Sequence, residues 1–195
     1  LFTKKGSVLS NKSENKKITI IDEEVCMAED EFIVSKADLR GYLTYVNRTF
    51  MQMALMNEDQ LLGFNHNVIR HPDMPKSVFK LLWMTLKKEN EFFGFVKNYR
   101  ADGRYYWVFA NITPEYNQEG KLSGYLSVRR APPVSAISVI EPIYQQMLKI
   151  EKSASSNKIA ENKSMAFLQQ QLDDLNIKYQ DFVIRLFNDD KFNSK

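Results

Sequence analysis

The most chemically capable side chains lie together in Asn65-His66-Asn67-Val68-Ile69-Arg70-His71-Pro72-Asp73-Met74-Pro75, which holds both histidines of the chain beside an arginine and an aspartate. A histidine exchanges a proton near neutral pH or ligates a metal, and a guanidinium suits a phosphate or carbonyl oxygen. The same residues have a structural reading. Asp73 is placed to cap a helix starting at Pro75, Arg70 to pair with Asp73, and His71 to sit as a satisfied buried ring. Taken alone, the segment favours that reading. Other catalytic signatures are lacking: the single cysteine, Cys26, is far from both histidines in sequence, and there is no nucleophile-elbow serine, Walker loop or dinucleotide-binding glycine fingerprint. The carboxylates of Asp22-Glu23-Glu24 sit in a polar context that reads as solvated. The chain is not expected to be an enzyme.

Holding such residues in place requires a core. A chain of 195 residues, 44% apolar and 12% aromatic, has enough for one full-sized domain plus additional helix. One cysteine excludes an internal disulfide framework and any Cys-rich metal site, and suits a reducing, intracellular setting. The net charge is +3 without a concentrated Lys/Arg run, so nucleic acid is not an expected partner. No apolar segment approaches the roughly 18–20 residues of a membrane span, and the polar, lysine-rich start is not a signal peptide. A cytoplasmic location is the expectation. The chain begins at Leu1 rather than Met, as expected of a piece trimmed from a longer protein.

The elements follow from spacing and turn residues. Residues 1–17 have little to bury and read as a flexible arm, and the acidic patch after Ile18-Thr19-Ile20-Ile21 as the cap of a short helix. Phe32-Ile33-Val34 and Tyr42-Leu43-Thr44-Tyr45-Val46, separated by a turn at Asp38–Gly41, read as a hairpin. Short helices follow around Phe50–Leu55 and Glu58–Leu62, stopping at Gly63. A longer helix begins near Pro75, with Phe79, Leu82, Trp83 and Leu86 on one face. Phe92–Arg100, Arg104–Ile112 and Leu122–Arg130 read as three antiparallel strands with turns at Asp102-Gly103 and Glu119-Gly120. The order of two strands, helices and three strands is that of a small α+β domain, closed by Pro132-Pro133. Beyond the prolines Ile137, Ile140, Tyr144 and Met147 mark a helix. After a polar break over Ser153–Lys163, Met165, Leu168, Leu172, Leu175, Tyr179, Phe182 and Leu186 alternate steps of three and four, the pattern of a helical hairpin or coiled coil.

Five blocks carry a resemblance: Arg70-His71-Pro72-Asp73-Met74-Pro75, Trp83-Met84-Thr85-Leu86-Lys87-Lys88, Val96-Lys97-Asn98-Tyr99-Arg100, Tyr106-Trp107-Val108 and Gly124-Tyr125-Leu126-Ser127-Val128-Arg129. In this order and spacing, over roughly residues 30–132, the chain resembles the PAS domain of bacterial aerotaxis receptors. The resemblance implies a PAS fold, a five-stranded antiparallel sheet with helices on one face, followed here by C-terminal helices. The organisation then reads as an arm or cap over 1–30, a PAS sensory domain over 31–132 and a helical segment over 134–187.

The resemblance also implies non-covalent FAD and a redox- or oxygen-sensing role. Matched block by block, the cofactor-binding residues are Arg70, His71, Asp73, Trp83 and Asn98, with Asn47 at a further polar position. The chemistry suits them: an isoalloxazine offers a flat face for Trp83 and an edge of donors and acceptors for the Asn98 amide. Trp107 reads as core filling. Phe109 departs from the basic residue usual at its position. No cysteine lies in the helical region just before the long helix, so light-driven adduct chemistry is not expected. The alternatives are heme, held by His71 or His66, and a ligand-free adaptor or dimerisation module. The family's membrane anchor and signalling domain have no counterpart here. The expected partner is therefore a separate membrane-bound chemotaxis-type transducer or other signalling protein, and the expected assembly a homodimer.

Overall fold

Runs of β-branched and aromatic residues form strands wherever a turn residue ends them, and helices occupy the segments with apolar residues three and four apart. The computed structural model describes residues 8–10 and 17–188. Its strands are β1 (Val8–Ser10), β2 (Lys17–Thr19), β3 (Ile33–Ala37), β4 (Leu43–Val46), β5 (Phe92–Tyr99), β6 (Tyr105–Tyr116) and β7 (Leu122–Arg130). Its helices are α1 (Arg48–Ala54), α2 (Lys76–Leu86), α3 (Val134–Ser153), α4 (Asn157–Asp174) and α5 (Tyr179–Asn188), with 3-10 turns at Glu58–Gln60 and His66–Ile69. β1 and β2 pair with each other, and the other five strands form one antiparallel sheet in the order β4-β3-β7-β6-β5. This is the expected α+β architecture.

The chain divides into two compact units. The first comprises Leu1–Pro72, Lys97–Val108 and Pro114–Ala131. Its β3–β4 hairpin turns on Asp38, whose carboxylate accepts from the N–H groups of Arg40 (2.8 Å) and Tyr42 (2.9 Å). Asn47 then joins hairpin to helix: its Oδ1 accepts from Val34 N and Phe50 N, both at 3.0 Å, and its Nδ2 donates to Phe32 O at 2.7 Å. At the other end of α1, buried Arg100 donates to the carbonyl oxygens of Met53 (2.9 Å) and Gln52 (3.3 Å) in the last turn of the helix. Gly124 is required where β7 lies against β3, because a Cβ there would come within 2.5 Å of Ala37 O.

Two expectations are corrected in this unit. No helix follows the acidic patch; instead Val25 N donates to Tyr105 O (2.8 Å) and Tyr105 N to Glu23 O (3.1 Å), so pairing with the start of β6 consumes the backbone groups a helix would need. Glu23 also pairs with Arg104 (3.1 Å). The arm expected over residues 1–17 lies mostly outside the described residues, and Val8–Ser10 is paired there with Lys17–Thr19.

The second unit comprises Asp73–Val96, Phe109–Thr113 and Pro132–Lys195. Phe109 stacks on Phe187 (4.2 Å between centroids) and lies against Phe95 (5.1 Å), which gives a physical reason for an aromatic rather than a basic residue at position 109. Tyr144 of α3 is fully buried and donates to Phe95 O (3.0 Å). The heptad spacing from Met165 to Leu186 does not make one helix. α4 ends at Asp174, Leu175 is 57% exposed and Asn176 takes a left-handed φ of +50°, so the pattern belongs to α4 and α5 separately. The polar break is also shorter than expected, since α4 already starts at Asn157, capped by Ser156. Among the described residues no helix is long and apolar enough to cross a membrane.

Candidate functional site

Polar side chains converge on one face of the sheet within the first unit. Ser35 on β3 and Ser127 on β7 are direct cross-strand partners and share that face, as does Arg129 two residues along β7. Arg129 is 3% exposed. Its Nη2 donates to Ser35 Oγ (2.7 Å) and to Nε2 of His66, and its guanidinium lies 5.1 Å from the centroid of the Phe50 ring. Phe50 in turn stacks on His66 at 5.7 Å. The 3-10 turn that presents His66 is capped by Asn65, whose Oδ1 accepts from Asn67 N (3.1 Å).

Charge on this face is set by burial. Accepting from Arg129 requires a lone pair on Nε2, so the His66 proton sits on Nδ1. Desolvation, with the adjacent Arg129 charge, lowers the His66 pKa to about 3, and the ring is neutral at pH 7. Desolvation lowers that of Arg129 to about 10, which leaves it charged. Tyr106 on β6 is fully buried; desolvation raises its hydroxyl pKa, and the Arg129 and Arg100 charges oppose that rise. Three buried atoms on these strands have no hydrogen-bond partner: Tyr106 Oη, Ser127 Oγ and Arg129 Nη1. Each such group costs about 1–3 kcal/mol. A ligand bearing several acceptors would satisfy all three.

Of the residues singled out in the sequence, three come together. Arg70 and Asn98 form an isolated antiparallel bridge, and His71 N donates to Lys97 O (3.3 Å), so the start of the hexapeptide docks on the end of β5. His71 and Asn98 are buried, and the His71 ring meets Tyr105 edge-on at 5.7 Å. The neighbouring Lys97 is also buried, its ammonium 3.9 Å from the Tyr105 ring centroid. Asn47 has both amide atoms engaged with backbone at the β3–α1 junction. Asp73, exposed, and Trp83, half-buried on α2, belong to the second unit. Trp107 is buried, as expected of a core residue.

Known proteins resemble this chain in sequence and fold. The PAS fold family matches residues 43–129. The aerotaxis receptor of Escherichia coli (strain K12) is 41% identical over 128 residues, 66% of this chain and 25% of the receptor. The chain holds a PAS domain, similar in sequence to the aerotaxis receptor. A nitrogen fixation regulatory protein of Klebsiella pneumoniae is 31% identical over 102 residues, 52% of this chain and 21% of that protein. The chain thus spans about a quarter or less of the length of these relatives. Among solved structures, the light-state LOV domain of the blue-light photoreceptor Aureochrome1 superposes with a TM-score of 0.50 at 19% identity, covering 64% of this chain and 94% of that one. In this PAS domain the sequence reading missed Ser35, Tyr106, Ser127 and Arg129 as candidate site residues. One signal was available. Ser127 and Arg129 alternate along a strand otherwise rich in apolar residues, and a charge on the buried face of a strand asks for a partner.

Proposed function

We propose that this PAS domain is a sensory module that binds FAD and reports redox or oxygen status to a signalling partner. The observation that carries the reading is the set of unpartnered buried atoms, Tyr106 Oη, Ser127 Oγ and Arg129 Nη1, on one sheet face. Arg129 offers two charge-assisted donors from a desolvated position and spends one nitrogen on Ser35 and His66, leaving Nη1 for a carbonyl or ring nitrogen. Asn98, buried on β5, offers an amide that donates and accepts, and Ser127 and Tyr106 add hydroxyls. A bound flavin supplies one- and two-electron redox chemistry. Arg129 keeps a fixed positive charge where an electron-accepting ring would gain negative charge, and neutral His66 holds that guanidinium in place. Arg70, His71, Asp73 and Trp83 are further proposed cofactor-binding residues on the strength of the family resemblance, and Asn47 acts by fixing β3 to α1.

The reading disfavours heme at His66, because the Nε2 lone pair a metal would take already accepts from Arg129. Adduct photochemistry is disfavoured by an exposed Cys26 as the chain's single thiol. A separate chemotaxis-type transducer is the proposed listener, with a homodimer as the proposed assembly, residues 31–132 as the sensory domain and no catalysis of its own.

The test is an absorption spectrum of the purified chain incubated with FAD, before and after dithionite. A two-band flavin spectrum that bleaches, with occupancy reduced at least tenfold in Asn98→Ala and Arg129→Ala, is the expected result. Trp83→Ala examines the second unit's contribution separately. A colourless protein that takes up no FAD, or one with a Soret band, overturns the reading.

A further inference from the structure

Helix α2 starts without a cap of its own: its N-cap residue is Pro75, which offers no side-chain acceptor, and no acidic residue stands in its first turn. The acceptor comes from Glu151, in the last turn of α3. Its Oε2 accepts from Lys76 N (2.9 Å), and its Oε1 accepts from Ser77 N (3.0 Å) and from Ser77 Oγ (2.6 Å). The fully buried Ser77 also shares a hydrogen bond with the fully buried Ser164 of α4 at 2.7 Å. Around this centre Lys76 Nζ reaches Asn157 Oδ1 (2.9 Å), and Lys80 Nζ reaches Asn162 Oδ1 (2.9 Å) and Glu161 (3.5 Å).

The carboxylate is badly placed for its own helix. A negative charge in the last turn of α3 opposes that helix's dipole, whereas at the first turn of α2 it completes one. Its position makes sense only with α2 docked, when two amides that α2 cannot satisfy internally are satisfied.

We propose that Glu151 is a latch that holds the α3–α4 turn on the first turn of α2, and that its opening is the conformational step by which the sensory domain passes its state to the C-terminal helices. The latch deepens the redox-sensing reading and rests on it for the signal, though not for its own existence. Two states define it: a docked state in which the Lys76 and Ser77 amides are protected, and an undocked state in which they and residues 150–164 exchange with solvent.

The experiment is hydrogen–deuterium exchange, read by mass spectrometry, on the full chain and on Glu151→Ala and Glu151→Gln. The Gln variant keeps the shape and one acceptor, so it covers the case in which Ala fails to fold. Exchange in the peptides spanning 76–86 and 150–164 is expected to rise at least tenfold in Glu151→Ala and less in Glu151→Gln, with the β7 peptide 122–130 unchanged. In wild type loaded with FAD, dithionite is expected to raise exchange in the same two peptides. Equal exchange in wild type and variants overturns the latch. A rise in the variants with no response to reduction in flavin-loaded wild type overturns its role in signalling. Failure to take up FAD overturns the flavin reading alone, and the latch then stands or falls by the variants.

Discussion

Arg129 donates to Nε2 of His66 across 63 residues of sequence, and the bond fixes the tautomer of the imidazole. It selects the tautomer with the proton on Nδ1, keeps the imidazole neutral and orients a buried guanidinium whose other terminal nitrogen has no protein partner. A neutral acceptor is the arrangement that lets one buried cation stand without a second charge beside it.

Acid should therefore weaken the fold through His66. Its pKa is about 3 when folded against an ordinary value of 6.5, so between these values the unfolded chain binds the extra proton. The stability from a neutral His66 is fully present above pH 6.5 and is lost as pH falls towards 3, at up to about 1.4 kcal/mol per pH unit. Urea unfolding at pH 7 and pH 5 checks this: His66→Asn should show a smaller drop than wild type, and equal drops would sink the assignment.

Asn47→Ala should destabilise the domain by about 1–2 kcal/mol, because Val34 N and Phe50 N lose their acceptor and Phe32 O its donor. Asn47→Asp, which retains Oδ1, should recover part of the loss. Thermal melts of the two variants separate a junction role from direct ligand contact: a Tm unchanged in Asn47→Ala would mean that these bonds hold nothing together.

Gly124→Ala should cost about 1–3 kcal/mol, since the added methyl would meet Ala37 O at 2.5 Å and backbone, rather than a flexible side chain, has to move. The strain falls on the β3–β7 pairing that aligns Ser35 with Ser127, so flavin uptake should drop together with Tm. A variant with wild-type Tm would show that the two strands separate freely at this point.

The legible parts of the fold are those with local causes. The turn at Asp38, the left-handed turn residue Gly63, the start of α2 after Pro75 and the bounds of β7 each follow from residues within a few positions, although the helix expected up to Leu62 is a 3-10 turn ending at Gln60. Illegible parts depended on a distant partner. The acidic patch at 22–24 has helix-capping chemistry, yet its backbone pairs with Tyr105. The heptads after Met165 have coiled-coil spacing, yet the chain turns at Leu175 and Asn176.

The candidate site divides in the same way. The hexapeptide was visible because several polar residues stand together in it, and its first residues do dock on β5 beside Asn98. Arg129, Ser127 and Tyr106 were passed over because in sequence they stand dispersed along strands read as core, with no local cluster to mark them.

By itself the sequence determined which segments become strands and helices, where they turn, and which family the domain belongs to, because spacing and turn chemistry act over a few residues. Only the tertiary structure decided which buried polar atoms find partners. Glu151 meets the first turn of α2 from 74 residues away, and Arg129 meets His66 while its Nη1 is left over. Those pairings depend on where the chain returns, and a buried hydrogen-bonding group is costly until some returning segment, or a ligand, meets it.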